Sequence, residues 1–159
     1  YCKDSRHWVV RPRRNFNEGS IVIHGITHSE IDDAPDFNHI IEPLLQALSG
    51  KVVVVHYGAI ERHFLNTALL LRLNEGINFA LVDTMEIERK ALKARQGLLG
   101  WLFNSKLGSL RLGDCRQRYS LPVYKNHNAL TDALATAELL QAQLSHHYRE
   151  DTPISQLWS

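Results

Sequence analysis

Two kinds of apolar pattern take turns along this chain: short β-branched runs, and longer stretches with apolar residues at helical spacing. His7-Trp8-Val9-Val10 is the first short run. It predicts a strand that Pro12 ends, because proline cannot donate to a sheet ladder. A second run, Ser20-Ile21-Val22-Ile23-His24-Gly25-Ile26, leads into Thr27. Glu30, three residues on, completes a capping box and predicts a short helix. Beyond Pro35, Phe37, Ile40, Ile41, Leu44, Leu45 and Leu48 share one helical face, and Gly50 is placed to stop that helix. Val52-Val53-Val54-Val55 shows no alternation and predicts a central strand buried on both faces.

The scheme then repeats. A helix with Ile60, Phe64, Ala68 and Leu71 on its apolar stripe should end at Asn74-Glu75-Gly76. Phe79-Ala80-Leu81-Val82 predicts a second buried strand that closes at Asp83-Thr84, and a helix follows from Met85 to about Arg95. Residues 97–108 have no clear period and read as a loop. Ser109 is a candidate cap for a helix reaching Tyr119, and Leu121-Pro122-Val123-Tyr124 reads as extended. The last helix, about residues 130–147, has Ala133, Ala137, Leu140 and Leu144 on its apolar face. The tail after Tyr148 is expected to be loosely held. Buried strands alternating with amphipathic helices indicate an α/β domain with helices on both faces of a sheet.

Composition narrows the class. The 159 residues fit one compact domain, with no internal repeat or interdomain linker. No apolar run approaches the roughly 20 residues needed to span a bilayer, and no signal peptide is visible. Cys2 and Cys115 are too few and too far apart for a disulfide framework or a zinc site. A reducing, cytoplasmic setting without membrane attachment is the simplest expectation. The formal net charge of +1 gives no strong basic field. A protein that coats long duplexes carries more, whereas one gripping a few terminal nucleotides does not need it. The basic cluster of Arg11, Arg13 and Arg14 reads as a solvated turn.

Candidate chemistry gathers where strands become helices, the place where open α/β sheets collect ligands. Glu61 falls in the first turn of the helix after the valine run, and Asp132 in the first turn of the last helix. Both positions also suit a carboxylate that merely complements the helix dipole. His127, in the loop before Asp132, could take a proton from a metal-bound water. Asp83 sits at the same sheet edge but reads best as a cap for the helix that follows it. Carboxylates with one histidine suit hard divalent cations rather than zinc. Neither a phosphate-cradling glycine loop nor a Gly-x-Ser-x-Gly elbow is present.

Four features in order resemble the DEDD (DnaQ-like, histidine-type) 3′–5′ exonuclease family, which includes the proofreading epsilon subunit of bacterial DNA polymerase III. His56-Tyr57-Gly58-Ala59-Ile60-Glu61-Arg62-His63-Phe64-Leu65 matches its second motif, with Glu61 at the usual Asp and Tyr57 at the usual Asn. His127 to Asp132, then Ala133-Leu134-Ala135-Thr136-Ala137, matches its third. Ile23-His24-Gly25-Ile26-Thr27 and Val82-Asp83-Thr84 agree as well. The resemblance implies an RNase H-like fold with a central mixed sheet, and a two-metal hydrolysis using Mg²⁺ or Mn²⁺. It implies His127 as general base, Glu61 and Asp132 as metal ligands, and His24, Gly25, Tyr57 and Ile60 around the 3′-terminal nucleotide. The implied partner is a nucleic-acid 3′ end, single-stranded DNA first, with a polymerase as a further partner.

The family's opening Asp-x-Glu motif is absent from these residues, so about 40–50 further residues are expected upstream. Residues 1–148 then form an exonuclease domain lacking its N-terminal strand and first motif, with 149–159 as a C-terminal tail. The alternatives are a catalytically weak or inactive relative that binds nucleic-acid ends or serves as a subunit, and an unrelated α/β domain.

Overall fold

The computed structural model describes residues 4–12, 26–102, 107–125 and 128–158. Along these run α1 (His28–Asp32), α2 (Asn38–Leu48), β1 (Val53–Val55), α3 (Gly58–Leu73), β2 (Leu81–Asp83), α4 (Thr84–Leu102), α5 (Leu112–Arg118) and α6 (Ala129–His147). A 3₁₀ turn, Ile154–Leu157, follows. The expected capping box opens α1: the Thr27 amide donates to the Glu30 carboxylate at 2.8 Å, and the Glu30 amide donates back to the Thr27 hydroxyl. Gly50, at φ 68°, lies just beyond α2, where a residue with a Cβ would be strained. α4 is broken at Gly97, whose φ of 59° and ψ of −165° are not helical.

β1 and β2 pair in parallel, Val53 opposite Leu81 and Val55 opposite Asp83. Parallel strands need a crossover, and α3 supplies it. α3 packs on β2, while α6 packs on β1 and against α4 and α5. Between them Val82, Ile87 and Leu157 form a buried cluster, flanked by Val52, Leu140, Leu144 and Tyr148.

The α/β expectation is met, but several local readings are corrected. Residues 7–10 are not a strand; the Arg11 amide instead donates to the Pro35 carbonyl. β1 is not buried on both faces, since Val54 is 37% exposed. Its one ladder neighbour among the described residues is β2, so it lacks the cover of a central strand. The helix faces are rotated from their predicted stripes. In α3, Ile60, Phe64 and Leu71 are exposed, while Gly58 and Leu69 are buried. A Cβ on Gly58 would lie 2.8 Å from Leu81 Cδ2, so this glycine lets α3 approach β2 closely and sets its rotation. In α6 the buried line is Ala135, Thr136, Leu139 and Gln143, and Ala133 and Ala137 face outward. The tail is docked rather than loose: Leu157 is 7% exposed and Trp158 forms an antiparallel bridge to Val82.

Candidate active site

β1 ends in a sharp turn. Tyr57 adopts a left-handed conformation (φ 82°, ψ 61°), rare for an aromatic residue, and α3 starts at Gly58. Asp83, at the end of β2, receives that turn: its carboxylate accepts from the amides of Tyr57 (3.0 Å) and Gly58 (2.7 Å), and from Met85 (2.9 Å) at the start of α4. Three internal donors and 4% exposure make Asp83 the structural cap that its position suggests.

His56 is fixed beside it. Nε2 donates to the Leu110 carbonyl at 2.8 Å, and Nδ1 meets the Thr84 hydroxyl at 2.8 Å. Burial holds this imidazole below its ordinary range, against the opposing pull of the Leu110 carbonyl and of Asp83 and Glu88. His56 therefore ties β1, α4 and the chain before α5 together.

The turn delivers Glu61 to the wall of an open cleft of about 850 Å³. The opposite wall is the first two turns of α6, where the Asn128 side chain caps the Leu130 and Thr131 amides and Asp132 follows. Glu61 and Asp132, 71 positions apart in sequence, thus line one cleft with His56, Arg111, Tyr124 and Thr136. Glu61 finds no hydrogen-bond partner among the described residues, and burial pushes its carboxyl above the usual carboxylate value. Burial, together with the neighbouring Asp132 charge, pushes the Tyr124 phenol up to about 12. Arg111 is the one cation among the described residues of this lining.

Both carboxylates are hard oxygen donors of the kind Mg²⁺ and Mn²⁺ select. They fit in chemistry but not in number. Among the described residues no group of three or more His, Cys, Asp or Glu comes together to hold an ion. His127, His24 and Gly25 lie outside the described residues. Tyr57 and Ile60 are exposed, at 46% and 43%, and are not among the residues lining the cleft. Sequence reading did not single out Arg111, Tyr124 or Thr136. No motif marks Arg111 or Tyr124, which reach the cleft through the packing of α5 and of the segment before α6; Thr136 stands in the third motif, on α6 itself, but nothing in the motif assigned it to the site.

Among the described residues, no helix is long and apolar enough to cross a membrane. Several curated proteins are similar in sequence. The DNA polymerase III subunit epsilon of Buchnera aphidicola subsp. Acyrthosiphon pisum is 27% identical over 97 residues, 58% of this chain and 40% of that protein. The PolC-type DNA polymerase III of Bacillus subtilis is 27% identical over 137 residues, 85% of this chain and 9% of that protein. The epsilon subunit of Pasteurella multocida is 24% identical over 136 residues, 84% of this chain and 49% of that protein. The chain thus spans half or less of the length of these curated relatives.

Two solved structures share the RNase H-like exonuclease fold. Exonuclease X in complex with 5′ overhanging duplex DNA matches with a TM-score of 0.65 and 19% identity, over 94% of this chain and 76% of that one. Cell-death related nuclease 4 matches with a TM-score of 0.69 and 20% identity, over 87% of this chain and 49% of that one. The RNase_T family model, described as an exonuclease, matches residues 3–140, and with that span the chain belongs to this exonuclease family.

Proposed function

We propose that this domain removes nucleotides from the 3′ ends of nucleic acid, single-stranded DNA first, by hydrolysis dependent on a divalent cation. The observation that carries the reading is the meeting of Glu61 and Asp132, from the opening turns of two distant helices, in one open cleft. In this reading the two carboxylates hold Mg²⁺ or Mn²⁺ jointly with further ligands. When bound, the ions supply charge neutralisation at the scissile phosphate and a more acidic attacking water. His127 would serve as general base toward the attacking water. The Arg111 cation attracts the substrate phosphates, and Tyr57 and Ile60 offer exposed apolar surface to the terminal nucleotide. The names of the epsilon and PolC-type relatives support a place beside a replicative polymerase, with proofreading or repair as the role.

A second reading rests on the incomplete ligand set among the described residues: a weak or inactive relative that grips nucleic-acid ends without cutting. One experiment separates the two. The full-length protein is incubated with a 5′-labelled single-stranded DNA and Mn²⁺, with Asp132→Ala as control. A ladder shortening from the 3′ end in wild type, lost to background in the variant, supports the nuclease and its site. End binding without products supports the second reading. Equal cleavage by both proteins removes Asp132 from the site.

A further inference from the structure

The short segment before α5 has a firmly held backbone and one side chain that the protein leaves unpaired. The Ser109 carbonyl accepts from Arg118 Nη2 at 2.7 Å, and the Leu110 carbonyl accepts from His56 Nε2 at 2.8 Å. The Arg111 amide donates to the Ser109 hydroxyl at 3.4 Å, and the Arg111 carbonyl accepts from the Cys115 amide at 2.9 Å, where α5 begins. Two of these anchors are themselves fixed. Arg118 Nε pairs with buried Glu88 at 2.6 Å, and His56 Nδ1 meets the Thr84 hydroxyl at 2.8 Å. An irregular segment whose main-chain groups are used in this way has little freedom to shift.

The Arg111 guanidinium, by contrast, makes no hydrogen bond or ion pair among the described residues. It is exposed, and it lines the cleft that also holds Glu61 and Asp132. An arginine free to reach either carboxylate would close on it as a charge-assisted pair. Neither pair forms among the described residues, so the cation and the two acids stay apart across one open space. His56 is the anchor that belongs to the cleft itself. It lines the same space and stands at the start of the turn that delivers Glu61. The Leu110 carbonyl can only accept, so Nε2 carries the proton, and the Thr84 hydroxyl can donate to Nδ1. One imidazole thus ties the turn bearing Glu61 to the segment bearing Arg111. A strand of phosphodiesters suits that spacing, because guanidinium presents a planar fork of donors to phosphate oxygens.

We propose that Arg111 grips one phosphate of the substrate strand, and that His56 is the positioning residue that holds Arg111 at a set distance from the Glu61 turn. The contact needs no metal. The proposal rests on the reading of the cleft as the place where nucleic-acid 3′ ends are cut.

The test is binding of a fluorescent single-stranded DNA oligonucleotide to the full-length protein in EDTA, read by anisotropy at several salt concentrations. Arg111→Gln should weaken binding by roughly 10-fold or more. It should also lower the slope of log affinity against log salt by about 0.7, the share of one single-strand phosphate. His56→Leu should weaken binding by about 3-fold or more in wild type and cost nothing further in Arg111→Gln, because it acts through that side chain. His56→Gln, which keeps an N–H for the Leu110 carbonyl, should recover most of the loss. His56→Asn, polar but shorter, takes the place of His56→Leu should that variant not fold. In cleavage assays Arg111→Gln and His56→Leu should raise KM with kcat near wild type. Wild-type affinity and salt slope in Arg111→Gln would overturn the phosphate contact. Additive losses in the double variant would overturn the role of His56. Either result, with Asp132→Ala inactive, leaves the nuclease reading standing. Wild-type cleavage by Asp132→Ala would instead remove that reading, and this proposal with it.

Discussion

Four carboxylates near the strand ends divide into two pairs with opposite surroundings. Asp83 and Glu88 are saturated from within. Asp83 accepts from three amides, and Glu88, 2% exposed, accepts from Arg118 Nε (2.6 Å), the Tyr119 hydroxyl (2.7 Å) and Gln143 Nε2 (3.1 Å). Glu61 and Asp132 face an open cleft, the first with no hydrogen-bond partner among the described residues. A carboxylate whose lone pairs are all used inside the protein builds the fold. One that keeps lone pairs toward solvent can offer them to a ligand. The same residue types at the same sheet edge thus do different work, and the number of internal donors decides which.

The two pairs should respond in opposite ways to loss of a carboxylate. Asp132→Ala should abolish cleavage and leave unfolding by urea unchanged. Asp83→Ala should act on the fold instead, because three amide donors at the β1–α3 and β2–α4 junctions lose their acceptor. At about 1–3 kcal/mol for each buried donor left unsatisfied, a loss of about 3–5 kcal/mol is expected in the urea transition. Wild-type stability in Asp83→Ala would erase the distinction between the pairs.

Glu88→Gln tests the same distinction through pH. Burial alone would raise this carboxyl, but the hydrogen bonds from Tyr119, Arg118 and Gln143 and the Arg118 charge outweigh burial and hold it below its ordinary 4.5. A depressed folded-state value means that ionised Glu88 stabilises the fold fully above the ordinary value, and that this contribution fades as pH falls through the folded-state value. Glu88→Gln should therefore cost about 2 kcal/mol near pH 7, and the gap between the two proteins should narrow as pH falls below the ordinary 4.5. A pH-independent difference in urea midpoints would mean that the charge of Glu88 contributes nothing.

The smallest effect concerns the turn between the two pairs. The left-handed Tyr57 backbone stores strain on the order of 1 kcal/mol, and asparagine tolerates that region better than an aromatic. Tyr57→Asn should raise the stability of the fold by about that amount, read as a higher urea midpoint with unchanged slope. A destabilised variant would show that the Tyr57 ring contributes more through contact than its backbone costs.

Much of this arrangement is legible in the sequence. The capping box at Thr27 and Glu30, the helix stop at Gly50 and the valine run each carry their own local cause, so they needed no tertiary information. The same holds for Asn74, which leaves α3 at φ 55°, and for the family motifs around Glu61 and Asp132. Helix existence was readable, because apolar periodicity survives modest error. Helix rotation was not. Ile60-Phe64-Leu71 is a plausible apolar stripe, yet the close approach of Gly58 to Leu81 turns that stripe outward and buries Leu69 instead.

The tail shows the same limit: nothing local in residues 153–158 announces that Leu157 will enter the core beside Val82 and Ile87. So does the cleft wall, where Arg116 reads as one of several basic residues of a short helix. It becomes a buried clamp because α6 brings two of its partners, Ala135 and Glu138, within hydrogen-bonding reach. Neighbours within a few positions were enough to specify the helices, their order and the acidic residues at the strand ends. Which of those acids the fold consumes and which it leaves to the cleft was settled largely by packing: the Met85 amide that Asp83 caps is local, but its other two donors and all three of Glu88's arrive from distant parts of the chain.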